Sequence, residues 1–156
     1  MKNTLIIFVV MILAIPGFVY SQSQTDFSGT WVLDPSKSEL GINSTASQKN
    51  PMRKMELVLT QTDKQLTVKR SSGETAVYQL DGSESINSLP GGGQATTTMN
   101  WLGDTLVATT TSSIGEMNVE MVDVRSLDAS GKVMNLKVTR QTPRGEVKQT
   151  LIYLKQ

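Results

Sequence analysis

From Gly29 onward, short runs rich in Val, Ile, Thr and Leu alternate with clusters of Gly, Asp, Asn and Ser, and no stretch sustains a 3.6-residue apolar period. This pattern predicts strands near 29–33, 53–61, 65–71, 74–80, 84–88, 95–101, 104–112, 116–126, 132–140 and 146–155. The turns set the pairing, because residues directly opposite in an antiparallel hairpin share a face and their numbers keep a constant sum. A two-residue turn at Asp63-Lys64 places Leu57 against Arg70, Leu59 against Val68 and Gln61 against Leu66. A turn at Ser72-Gly73 then places Val77 against Val68 and Thr75 against Arg70. Near the C-terminus, a turn at Pro143-Arg144 pairs Leu136 with Leu151, Met134 with Tyr153, Val138 with Gln149 and Arg140 with Val147. Leu102-Gly103 groups Met99 and Trp101 with Leu106 and Ala108, so each hairpin has one apolar face. Only 116–126 has mixed parity: Met117, Val119 and Met121 lie on one phase and Val122 and Val124 on the other. A bulge near Met121-Val122 reconciles them.

Consecutive strands joined by tight turns remove their exposed edges most simply by closing on themselves. The expected fold is therefore all-β, an antiparallel up-and-down barrel of about 8–10 strands whose first strand pairs with its last. The turns at Asp63-Lys64, Asp81-Gly82, Leu102-Gly103 and Asp128–Gly131 fall at one end, which is closed. The longer segments Asp34–Pro51 and Leu89–Gln94 fall at the other, which is open.

Composition narrows the chemistry. The 156 residues include no Cys and no His, which excludes thiolate and imidazole metal sites, disulfides, a Ser-His-Asp triad and a Cys nucleophile. Fifteen basic against 14 acidic residues leave no basic excess for a nucleic-acid partner. Residues 1–21 have a lysine near the start, an apolar run from Leu5 to Ile15, a Pro16-Gly17 break and then Val19-Tyr20-Ser21. They read as a secretory signal peptide cut after Ser21 or Ser23. The apolar run is shorter than the ~20 residues that span a bilayer, so no membrane span is expected after cleavage. Residues 22–156 then form one exported domain, periplasmic or extracellular.

The segment Asp26-Phe27-Ser28-Gly29-Thr30-Trp31-Val32-Leu33 resembles the first strand of the calycin superfamily of lipocalins and fatty-acid-binding proteins. Gly145-Glu146 and Thr150-Leu151-Ile152-Tyr153-Leu154-Lys155 resemble the last strand of fatty-acid-binding proteins, Thr-Arg-x-Tyr-x-Lys. The chain as a whole is similar to exported bacterial lipocalin-like proteins. The resemblance implies that Gly29 and Trp31 plug the closed end with Lys155 packed over the indole. It also implies that the barrel binds a small hydrophobic or amphipathic molecule. There are departures: the family's carboxylate-binding arginine falls at Leu151, leaving only Tyr153, and Asp34–Pro51 is too short for a two-helix lid.

The candidate ligand-binding residues are Arg70, Arg140, Tyr153, Met134 and Leu151. Arg70 and Arg140 face inward at the open end, where two guanidinium forks suit an amphipathic anion. The alternative is that each snorkels to solvent. Tyr153, beside Met134, either meets a ligand head group or is satisfied by the protein itself. Met55, Met99, Met117, Met121 and Met134 are adaptable lining or ordinary core, and Trp101 is packing. Gly91-Gly92-Gly93 lacks a following Lys-Ser/Thr and reads as a loop, and the threonine runs 96–98 and 109–111 suit strands. Glu116, Glu120 and Asp123 are not paired across a pocket by spacing or parity, so no catalytic residue, metal or cofactor is assigned. The reading is an exported ligand-binding barrel. The alternative is a cavity-free barrel acting as an accessory or interaction module of the cell envelope, and an enzyme with convergent carboxylates or a Tyr-Arg site ranks third. Internal volume separates the first two.

Overall fold

The computed structural model describes residues 24–39, 55–89, 92–114, 117–142 and 145–156. The expected signal peptide, Glu116, the Pro143-Arg144 turn and the open-end segment beyond residue 39 lie outside them. Ten strands follow in order: β1 (Gly29–Leu33), β2 (Glu56–Gln61), β3 (Gln65–Arg70), β4 (Thr75–Gln79), β5 (Ser85–Ser88), β6 (Gln94–Leu102), β7 (Thr105–Ile114), β8 (Met117–Leu127), β9 (Val133–Thr142) and β10 (Gly145–Lys155). There is no helix among the described residues. The strands form one antiparallel sheet in the order β4-β3-β2-β1-β10-β9-β8-β7-β6-β5, a nearly closed barrel.

The expected pairings Leu57↔Arg70, Leu59↔Val68, Met99↔Ala108, Leu136↔Leu151, Met134↔Tyr153 and Arg140↔Val147 all occur. The pairing of β3 with β4 is corrected by one residue: Lys69 lies opposite Thr75, Val68 opposite Ala76 and Leu66 opposite Tyr78. The loop holds three residues, not two. The Gly73 amide donates to the Arg70 carbonyl (2.9 Å), the Arg70 amide donates to Glu74 (2.8 Å), and Gly73 takes the positive φ of 94° that such a loop requires. Ala76 therefore turns inward, and Val77 faces solvent. The bulge expected in 116–126 is absent as well. β8 keeps unbroken register with β7 and β9, so Met121, Asp123, Arg125 and Leu127 face inward while Val122 and Val124 face outward.

The closed end is built around Trp31. Its indole is fully buried, donates from Nε1 to the Phe27 carbonyl (2.9 Å), and has the Lys155 ammonium 5.3 Å from its ring centroid. Phe27, also fully buried, stacks on Trp101 with centroids 6.0 Å apart. Gln61 ties the incoming segment down, accepting from the Phe27 amide (3.1 Å) and donating to the Thr25 carbonyl (2.8 Å). Gly29 is required by this packing. At φ 135°, a Cβ added there would lie 2.6 Å from Lys155 Cε, in the path of the chain that reaches Trp31.

No backbone ladder joins β4 to β5; side chains complete the wall instead. The Asn87 amide accepts from the Val77 amide and donates to the Val77 carbonyl, both at 2.9 Å, reproducing the two bonds of a ladder pair. Ser85 Oγ accepts from the Gln79 amide (2.8 Å). Replacing Asn87 with Leu is expected to speed hydrogen exchange of the Val77 amide about ten-fold, the loss of roughly one hydrogen bond. Exchange of β9 and β10 amides is expected to stay unchanged; residue-resolved exchange by NMR checks this.

Candidate functional site

The interior is not filled. Three inward positions on neighbouring walls are alanine, Ala76 on β4, Ala95 on β6 and Ala108 on β7, and the missing side-chain volume opens a cavity of about 250 Å³. Met99 and Met121 supply apolar wall, and Thr97 and Thr110, bonded through their hydroxyls at 2.9 Å, supply a polar patch. A second recess of about 500 Å³ lies on the β2–β3 side, against Leu57, Arg70 and Tyr153. Arg70 borders both spaces.

The chemically distinctive groups in the cavity wall are Asp123 and Arg125. As positions i and i+2 of β8 they share its inner face: Asp123 sits between Ala108 and Val138, and Arg125 between Leu106 and Leu136. Arg125 is 6% exposed, and its Nη2 lies 3.8 Å from Asp123 Oδ2, a long ion pair. Asp123 Oδ1 and Arg125 Nε and Nη1 are buried with no hydrogen-bond partner among the described residues. Both groups therefore retain unused hydrogen-bonding capacity, which is costly in a low-dielectric interior. Burial pushes the Asp123 carboxyl above the ordinary carboxylate range, against the opposing pull of Arg125, Arg70 and Arg140. Burial likewise raises the Tyr153 phenol, with Arg125 and Arg70 opposing and Asp123 reinforcing, so Tyr153 stays neutral and keeps its proton to donate.

The residues singled out from sequence are distributed unevenly. Arg70 borders the cavity and the recess, and buried Tyr153 borders the recess. Arg140 starts from an inward position, but its guanidinium is exposed, with Nη2 3.8 Å from Met121 Sδ. Met134 is fully buried in the core, and Leu151 packs against it. Gly29, Trp31 and Lys155 meet at the closed end. Sequence reasoning missed Arg125 altogether and found no partner for Asp123. The signal lay in the register, since a strand joined to β9 through the Asp128–Gly131 turn must set Asp123 opposite inward-facing Val138.

Removing one member of a buried pair strands the other. Arg125→Met is expected to cost about 3 kcal/mol at neutral pH, and the double variant Asp123→Leu/Arg125→Met to recover most of that loss. Asp123 has a folded-state pKa above its unfolded value, so its relative stabilisation is complete at low pH and is lost as pH rises through the folded value. The deficit of Arg125→Met should therefore shrink on acidification toward the ordinary carboxylate range. Urea unfolding across pH checks both the magnitude and the sign.

No protein-family model matches this chain, and no curated protein does. Among solved structures, zebrafish ileal bile-acid-binding protein, solved with cholic acid, superposes with a TM-score of 0.60 at 16% identity, covering 83% of this chain and 98% of its own. A secretory abundant heat soluble protein of Ramazzottius varieornatus superposes with a TM-score of 0.63 at 14% identity, covering 86% and 98%. At these identities the likeness is one of fold, and the fold is a calycin-like barrel.

Proposed function

We propose that this protein is an exported, non-enzymatic barrel that binds a small hydrophobic or amphipathic molecule in its interior. The observation that carries the reading is the cavity of about 250 Å³, whose wall includes the buried Arg125 beside Asp123. That volume weighs against the cavity-free accessory module. The recess of about 500 Å³, which has Arg70 in its wall as the cavity does, is itself in the range of small-molecule sites. Burial of the ligand's apolar body against Met99, Met121 and the alanines supplies affinity at roughly 25 cal/mol per Å², and Arg125, Arg70 and Tyr153 orient its polar end. The bile-acid-binding neighbour, of the same fold, supports a small amphipathic ligand. The pattern of residues 1–21 supports export to the periplasm or beyond.

Native mass spectrometry of protein purified from its own host is expected to show a stoichiometric organic molecule, identified after solvent extraction. Fluorescence titration with N-phenyl-1-naphthylamine should show saturable binding to the emptied protein. A bare protein that also ignores this probe overturns the reading. N-terminal sequencing is expected to give Gln22 or Gln24 as the first residue, and a chain retaining Met1 overturns export by cleavage.

A further inference from the structure

Resting on the carrier reading, we propose that the ligand enters and leaves the cavity sideways, through the seam between β4 and β5. Asn87 is the latch of this entrance, and Val77 and Ile86 are its apolar outer lips.

The seam is the weak course in the wall. Every other join between neighbouring strands is a backbone ladder. Here the hydrogen bonds that cross between the strands, among the described residues, come from the side chains of Ser85 and Asn87. Ser85, buried, makes its contact with Gln79 toward the closed end. Asn87, half-buried, holds Val77 and is the last tie on the way to the open end. A ladder resists parting along its whole length, whereas side-chain ties break singly, so local opening is easiest here. Such opening leaves both flanking hairpins intact, because β4 stays paired with β3 and β5 with β6.

Both sides of the seam suit the passage of an apolar molecule. On the inside, Thr75, Ala76 and Tyr78 of β4 and Asn87, Ser88 and Leu89 of β5 all line the cavity of about 250 Å³. Parting these strands therefore opens directly into it. On the outside, Val77 is 38% exposed and Ile86 62% exposed, although both are large and apolar. One stands on each strand: Val77 is the residue whose backbone Asn87 grips, and Ile86 is the chain neighbour of Asn87. Contact with both lips keeps part of an apolar ligand's surface out of water while it crosses the wall. The closed end offers no such route, since Phe27 and Trp31 plug it and are fully buried.

The test is stopped-flow fluorescence with N-phenyl-1-naphthylamine. The chain has no cysteine, so Val77→Cys/Ile86→Cys carries its only thiols on the two lips, where bismaleimidoethane can join them. Neither position lines the cavity, so the link holds the seam shut without altering the site. Relative to the two single-cysteine variants capped with N-ethylmaleimide, the linked protein is expected to bind and release the probe at least about ten-fold more slowly, with Kd within about three-fold. Uptake and release at the rates of the capped variants would place the route at the open end and overturn the proposal. Asn87→Ala, which removes the latch, is expected to speed association at least about five-fold, and an unchanged rate overturns the proposal as well. The linked protein decides the matter even if Asn87→Ala fails to fold. Failure of the wild type to take up the probe would overturn the carrier reading itself, which separates the two failures.

Discussion

Three residue pairs join the first strand to the last, Trp31 with Lys155, Val32 with Leu154 and Leu33 with Tyr153, and the rest of the barrel depends on that join. Every other ladder links strands that are neighbours in the chain. Without this one, the strands would fall into two separate sheets, β1–β4 and β5–β10, held to each other only by the side-chain seam between β4 and β5. The join also brings Lys155 over Trp31, and the buried indole fixes Phe27 through its Nε1 hydrogen bond. An aromatic ring buried this fully is worth about 3–5 kcal/mol, and the cation above it adds about 0.5–1 kcal/mol at an exposed site. Closure of the cylinder and plugging of its floor are therefore one event.

With the floor solid, the middle of the barrel need not be. Leu59, Leu66, Val68, Leu106, Met134 and Leu136 fill the lower interior, whereas the alanines of β4, β6 and β7 leave space above them. Asp123 and Arg125 face that space, where aliphatic residues of similar volume would serve stability as well or better. Local consistency is broken at one place in an otherwise regular sheet, and that is where a site is to be expected.

The same feature explains what was legible from sequence. Where turns are tight and faces alternate cleanly, the register follows from the residues, as in β2–β3, β6–β7 and β9–β10. The β3–β4 hairpin was misplaced by one because Ser71 also belongs to the loop, a difference of backbone geometry that composition does not reveal. In β8 the apolar residues are split between two phases, and no bulge reconciles them: Met121 lies inside, Val122 and Val124 lie outside, and two charges lie inside. Periodicity assumes that charges seek water, so it conceals the residues that a binding site obliges to do otherwise. Phe27, ahead of the first strand, carried no periodic signal and became evident as a plug only from its contact with Trp101.

The seam between β4 and β5 has a consequence for how the sheet relates to its sequence. The residue that follows β10 already touches the first strand, since the Gln156 amide donates to the Thr30 carbonyl at 2.9 Å. A circular permutant that began at β5 and ran through a short linker from β10 into β1 would cross no ladder at its new ends. Its strands would then lie in the sheet in strict chain order from one edge to the other. The long-range closure that folding must now find would become a local hairpin, and the side-chain seam between β4 and β5 would become the long-range contact in its place. In topological terms, the molecule is a simple linear meander whose origin has been moved to its centre.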